Sequence, residues 1–308
     1  MFIFNVSNDF YLLAFNVSYL AYTSGPHSYL ARTGNLYFWK KQIAFMYCWD
    51  PNLYSSNSSA QKNWGLELLA KLHFKGNERV LDVGCGDGKL SAEIARNLPD
   101  GSVLGIDLSE EMITFARNHY PTEKFPNLAF MQTDARKLTF DSEFDIVFSN
   151  AVLHWIKAPE AVLKGFWKSL KPGGVLLAQF GGRGNAAEIL KIIDSMLKDE
   201  KWNSYFRDFV FPYGSYGPEE YGKWLKDSGF SVKRLQMSSK DMALEGKKGL
   251  FAWIESTWHP YTQRVPQELK EYFINELVTL FVSNHPLDDK GYVHVQMVRL
   301  EIEASPEK

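Results

Sequence analysis

The run Arg79-Val80-Leu81-Asp82-Val83-Gly84-Cys85-Gly86-Asp87-Gly88 constrains the fold more than any other part of the chain. A short apolar stretch breaks into three glycines within five positions, and a helical pattern resumes over residues 89–97. Strand, glycine turn and helix in that order open a crossover unit, with glycine removing side chains where the backbone turns sharply and a ligand can approach. The same grammar then repeats. Residues 102–106 read as a second strand, and Ser109 caps a helix whose first turn holds Glu110 and Glu111, favourable at a positive helix end. Residues 128–132 and 144–149 supply strands three and four. A helix with Pro159 in its first turn follows, Lys171-Pro172-Gly173-Gly174 ends it, and residues 175–180 form a fifth strand. Five strands alternating with helices predict an α/β fold with a Rossmann-like, doubly wound, mostly parallel sheet and right-handed crossovers.

On the amino-terminal side of this core, Trp64, Leu68, Leu69 and Leu72 recur at helical spacing and predict one amphipathic helix. Beyond Phe180 the pattern changes. Helical stretches near 185–198 and 218–227 precede a strand at 230–235, two more helical stretches at 247–258 and 267–283 intervene, and an alternating strand at 293–302 follows. The sheet is therefore expected to have seven strands, with a helical cap inserted near the C-terminus rather than an independent domain. Residues 46–303 form the domain in this reading, with a sheet core at about 76–182 and cap segments at about 185–227 and 240–290. Residues 1–45 hold twelve aromatic and only four charged side chains without any period. Their most apolar piece, 10–22, is shorter than the roughly 20 residues that cross a bilayer, and Asp9 stands where a secretory signal carries positive charge. We expect this extension to lie outside the fold, with Met46 as the working start.

Composition narrows the partners. Lys and Arg number 34 against 36 Asp and Glu, a net charge of −2, so no basic field exists to hold a nucleic acid backbone. Two cysteines, Cys48 and Cys85, make no disulfide framework and no zinc spacing. These features fit a cytoplasmic protein without a metal or a membrane partner, and a monomer is expected.

The glycine turn also speaks to ligand chemistry. Asp107 closes the second strand 23 residues after Gly84, near the position of an acid that binds ribose hydroxyls. A dinucleotide fingerprint is G-x-G-x-x-G, whereas the spacing here is G-x-G-x-G, with Asp82 before it and Asp87 inside it. Two carboxylates repel a diphosphate and suit a phosphate-free cation such as S-adenosylmethionine, which disfavours a nicotinamide-dependent oxidoreductase. The motif resembles the glycine motif of class I S-adenosylmethionine-dependent methyltransferases, and the resemblance extends over residues 46–303 through Asp107, Thr133-Asp134-Ala135, Ser149-Asn150-Ala151 and Leu170-Lys171-Pro172-Gly173-Gly174. It implies S-adenosylmethionine as cofactor. The amides of Gly84 and Gly86 would then lie beside its methionine portion, with Cys85 filling the turn and Asp82 orienting the amino group. Asp107 would take the ribose, Leu108 and Met112 would pack on the adenine, Asp134 and Ala135 would meet the adenine amino group, and Asn150 would lie near the methionine. Leu108 and Met112 also suit ordinary core positions.

Within that superfamily the chain resembles the trans-aconitate and juvenile hormone acid methyltransferases. The stretches that carry this are Trp49-Asp50-Pro51-Asn52-Leu53-Tyr54 through Gln61, Ser149 to Ile156 with its His154-Trp155 pair, and the plan of Leu250 to Glu301. The resemblance implies a small-molecule acceptor, most simply a carboxylic acid, methylated by direct in-line displacement. A carboxylate is already deprotonated at neutral pH, so placement and desolvation matter more than a general base. Gln61, His154 and Trp155 would position it, and Trp202, Tyr213, Trp253 and Trp258 would line an apolar pocket. Arg183, Arg264 and Arg299 are candidate counter-charges that sequence does not rank. The absence of a basic cluster argues against trans-aconitate itself; a monocarboxylic or a neutral lipophilic acceptor is equally allowed. Methylation of a non-carboxylate O, N or C acceptor and a non-catalytic cofactor-binding role remain open alternatives.

Overall fold

A computed structural model describes residues 47–308 of the chain; the expectations for residues 1–45 and for Met46 lie outside the described residues. The sheet, its helices and the cap all belong to one unit, Trp49–Lys308. Helix α1 (Pro51–Asn57) starts where the Asp50 carboxylate accepts the backbone N–H groups of Asn52 and Leu53, both at 3.0 Å. Helix α2 (Ser59–Leu69) follows at once and buries Trp64, Leu68 and Leu69.

Strand β1 (Arg79–Val83) is central because Val80, Leu81 and Val83 are buried, as a strand covered on both faces requires. It pairs in parallel with β2 (Ser102–Asp107) and β4 (Phe144–Asn150), while β3 (Leu128–Gln132) and β5 (Leu170–Gly181) extend the parallel sheet outward. Helices α3 (Lys89–Arg96), α4 (Glu110–His119) and α5 (Glu160–Ser169) make the crossovers. Helices α6 (Ala187–Met196), α7 (Glu200–Asn203) and α8 (Pro218–Asp227) lead to β6 (Phe230–Glu245). Helices α9 (Gly246–Thr257), α10 (His259–Thr262) and α11 (Gln267–Asn284) then precede β7 (Tyr292–Pro306).

The strand order is β3-β2-β1-β4-β5-β7-β6, with β7 antiparallel to both neighbours. This is the seven-stranded, mostly parallel sheet expected from the sequence. Chain direction from β1 diverges to β2 on one side and β4 on the other, so a crevice opens at the carboxyl ends of β1 and β4, where such sheets hold ligands.

Three boundaries differ from expectation, one of them the end of β7, which runs to Pro306 rather than stopping at 302 and carries the domain past 303. Strand β6 runs to Glu245 rather than stopping at 235, because an edge strand tolerates the polar run Gln236 to Asp241 that reads as loop. The stretch Lys171 to Gly174 follows the end of α5 but belongs to the start of β5 rather than to a turn. The cap builds its own core from Trp202, Phe206, Trp253, Tyr261, Phe273 and Phe281, against Ile189 and Ile193 of α6 and Val293, Val295 and Met297 of β7. Among the described residues no helix is long and apolar enough to cross a membrane.

Candidate active site

The glycine turn sits where β1 ends, and its first residue has no alternative. Gly84 has φ +72°, and a Cβ there would stand 2.1 Å from Val152 Cγ2. Four of the turn's N–H groups have partners within the protein, including those of Gly84 and Gly86, which are expected to lie beside the methionine portion of the cofactor. Gly84 and Cys85 donate to the Ile106 carbonyl at 2.7 and 2.9 Å, Gly86 donates to Asp107 Oδ2 at 3.0 Å, and Gly88 donates to the Cys85 carbonyl at 3.0 Å. A phosphate cradle needs N–H groups that point outward. This turn instead presents oxygen acceptors and acids, which is the donor set for a cation.

Three carboxylates reinforce that field. Asp82 is 2% exposed, and Ser91 Oγ donates to its Oδ2 at 2.5 Å. Burial, with Asp107 and Asp87 adding repulsion, pushes its carboxyl up to about 7 against the Ser91 hydrogen bond. Asp107, at the end of β2, is raised by burial and held down by N–H groups of Ser109 and Gly86. Asp87 is paired with Lys89 at 2.9 Å. The Cys85 thiol is buried and pushed well up, so it is a filler of the turn and no nucleophile.

The remaining residues of the expected cofactor set divide. Leu108 is 46% exposed at the rim, so it is no core residue, whereas Met112 is buried beneath the first turn of α4. Ala135 opens a short 3₁₀ turn, Ala135–Lys137. The Asp134 carboxylate does not stand free for an adenine amino group, because Arg136 grips both its oxygens at 2.7–3.1 Å. Asn150, at the end of β4, donates from Nδ2 to the Gln61 carbonyl at 3.0 Å and leaves Oδ1 buried without a partner. That bond ties the crevice to α2. Gly65 permits the approach, since a Cβ there would meet Leu90 at 2.4 Å and the Asn150 amide at 3.0 Å.

Beside this crevice lies a cleft lined by Gln61, His154, Trp155, Tyr213, Trp253, Trp258 and Arg299, among others. All three residues expected to position an acceptor therefore come together. The Gly181 N–H donates to Nδ1 of His154 at 3.4 Å, and burial together with the nearby Arg299 charge drops the imidazole to about 3. His154 is a neutral ring with Nε2 carrying the proton. Trp155 meets Trp49 and Tyr213 edge-on at 5.7 and 4.7 Å, and Trp49 continues to Tyr54 at 5.5 Å and His259 at 4.5 Å. Tyr54 in turn passes over Gly86, so α1 roofs both the glycine turn and the cleft.

Three expectations for the cleft fail or are resolved. Trp202 lines no part of it; it is packed in the cap, where its Nε1 donates to Glu276 at 3.0 Å. Arg183 is half exposed and pairs with Glu219 and Glu220, and Arg264 donates to the Tyr205 carbonyl, so neither faces the cleft. Arg299 does. Sequence could have singled it out, because 293, 295, 297 and 299 share one face of an alternating strand and the first three are apolar. Phe211, which also lines the cleft, carried no readable signal, and Trp49 stood out only as the start of the stretch Trp49 to Gln61 that resembles the family's N-terminal element.

Comparison with known proteins shows the family and the fold. The family described as "Methyltransferase domain" matches residues 74–229, half of the chain. Trans-aconitate 2-methyltransferase of Deinococcus radiodurans is 29% identical over 223 residues, covering 70% of this chain and 83% of the relative. Juvenile hormone acid O-methyltransferase of Drosophila melanogaster is 27% identical over 218 residues, covering 68% and 72%. Among solved structures, phosphoethanolamine N-methyltransferase 2 of Haemonchus contortus in complex with S-adenosyl-L-methionine superposes with a TM-score of 0.51 at 22% identity, covering 80% of this chain and 53% of that one.

Proposed function

This chain belongs to the methyltransferase-domain family, and from that membership we propose that it transfers the methyl group of S-adenosylmethionine to the carboxylate of a small molecule. S-adenosylmethionine is the methyl donor, and the glycine turn fits it: amides already bonded within the protein and three acids suit a phosphate-free cation. Bound there, it supplies an electrophilic methyl group on a positively charged sulfur. Asp107 receives the ribose hydroxyls on the lone pairs that Gly86 and Ser109 leave free, and Asp82 supplies negative charge beneath the turn. Leu108, Met112 and Ala135 border the adenine, Asp134 does so through its backbone, and Asn150 offers its unpartnered Oδ1 from the end of β4.

The observation that carries the carboxylate reading is the state of His154. A hydroxyl or ammonium acceptor must lose a proton, and among the described residues lining this cleft His154 is the one imidazole or carboxylate, the groups that act as bases near neutral pH. Gly181 occupies Nδ1 and burial keeps the ring from charging, so His154 donates a hydrogen bond through Nε2 and removes nothing. The acceptor must arrive deprotonated, as a carboxylate does at neutral pH. Gln61 and His154 orient it, and the rings of Trp155 and Tyr213 strip its water, which raises the nucleophilicity of the oxygen.

The test is methyl incorporation from labelled S-adenosylmethionine into matched acids, alcohols and amines of one carbon skeleton. Base-labile label in the acid alone is expected. Alkali-stable label in the alcohol or amine, with none in the acid, overturns the reading.

A further inference from the structure

We propose that Arg299 binds the acceptor's carboxylate and restricts acceptors to molecules with a single carboxylate on an apolar body, an inference that rests on the carboxylate reading above. Arg299 is 2% exposed at the cleft wall, and its Nε and Nη2 make no hydrogen bond. No carboxylate among the described residues pairs with it. Acids are close by: Glu301 and Glu303 of the same strand are taken by Lys71, Lys233 and Arg234. The strand therefore neutralises its neighbours and leaves this one guanidinium without a counter-charge. Burial lowers Arg299 to about 10, so it stays positive at neutral pH. A buried unpaired charge is strongly unfavourable, and a ligand that brings the opposite charge relieves it.

The guanidinium is also held in place. It lies over the ring of Trp64, 5.2 Å from the centroid, and Trp64 is buried on the same helix as Gln61. Arg299, Gln61 and His154 all line this one cleft. Among the described residues lining the cleft, Arg299 is the one charged side chain; the other walls include Trp49, Trp155, Phe211, Trp253 and Trp258. One carboxylate finds a cation there, whereas a second or third has only neutral groups such as Asn185, Ser215 and Thr257 to meet and no counter-charge. Esterification removes the acceptor's charge, so the product leaves Arg299 unpaired again and is held more weakly than the acid.

Two measurements test this. Calorimetry on the wild-type protein with S-adenosylhomocysteine bound compares 4-phenylbutanoate with its methyl ester and with tricarballylate. The monocarboxylate is expected to bind at least about 10-fold tighter than either, the range of a charge-assisted hydrogen bond. Steady-state kinetics of Arg299→Met and Arg299→Lys with the same acid follow, with KM expected to rise at least about 10-fold in Arg299→Met and less in Arg299→Lys. The Kd for S-adenosylmethionine should stay within about threefold. Tighter binding of tricarballylate, equal binding of the ester, or an unchanged KM in a folded Arg299→Met overturns the inference. Ester formation with an insensitive Arg299→Met overturns this inference alone; methylation of the matched amine or alcohol and of no acid overturns the carboxylate reading with it.

Discussion

Gly181 and Arg299 are cross-strand partners in the antiparallel β5–β7 pair. One rung of the sheet thus carries both the N–H that fixes His154 and the guanidinium that faces the cleft. The two act on the same imidazole: the amide occupies Nδ1, and the positive charge discourages protonation.

His154 should therefore leave no trace in the pH profile of activity between pH 5 and 9, and its ionisation should surface in stability. Its folded-state value lies near 3, below the ordinary 6.5. The unfolded chain takes up the proton first, so this contribution is complete above about 6.5 and lost as pH falls toward 3. His259, lowered to about 4, adds in the same sense. Thermal unfolding from pH 7 to pH 4 should show a smaller fall in Tm for His154→Phe than for the wild type; identical slopes would contradict the buried neutral state.

Asp82 should impose the opposite dependence on the ligand-free protein. Its folded-state value is raised to about 7 from 3.8, so the folded state holds a proton the unfolded chain has lost, and stability falls as pH rises through that window. Binding of a cation favours the ionised form. The affinity for S-adenosylmethionine should consequently grow from pH 6 to pH 8, and Asp82→Asn should flatten that rise. Calorimetry at three pH values reads both.

Gly84→Ala meets two obstacles together, a positive φ and Val152 Cγ2 at 2.1 Å. We expect a loss of about 2–4 kcal/mol in unfolding free energy, from backbone strain and overpacking combined. Adding Val152→Ala should recover the packing part and leave the strain. A double variant no more stable than Gly84→Ala would show that the collision is not limiting.

Trp202→Ala opens the cap core and removes one of two donors to Glu276, which keeps its pairing with Lys201 at 2.6 Å. Denaturant unfolding should report a loss of about 3–5 kcal/mol. Because Trp202 does not line the cleft, the KM for the acceptor should hold at temperatures where the variant is folded. A change in KM without a change in stability would return Trp202 to the cleft.

The parts of this molecule that sequence exposes are those written in consecutive residues. The run from Arg79 to Gly88 announces its turn because strand, glycines and acids follow one another, and Asp107 is recognisable because β2 ends where its pattern ends. The orientation of the turn's amides was not legible: that Gly84 and Cys85 donate to Ile106 depends on how β1 and β2 align. The same holds for the choice among Arg183, Arg264 and Arg299. Each is a basic residue in a plausible place, and Glu219 and Glu220, 36 and 37 residues further along, decide against Arg183. Trp202 misled for a related reason, since an aromatic helix face looks alike whether it turns toward a ligand or toward Phe273.

Placing β7 between β5 and β6 has a consequence for biosynthesis. Strand β6, sixteen residues long, has β7 as its one sheet neighbour, and that neighbour emerges from the ribosome after all three intervening cap helices. A nascent chain released as far as β6 lacks the strand that pairs with it and lacks Arg299, so the sheet can close only once β7 has been made and enters the slot between β5 and β6.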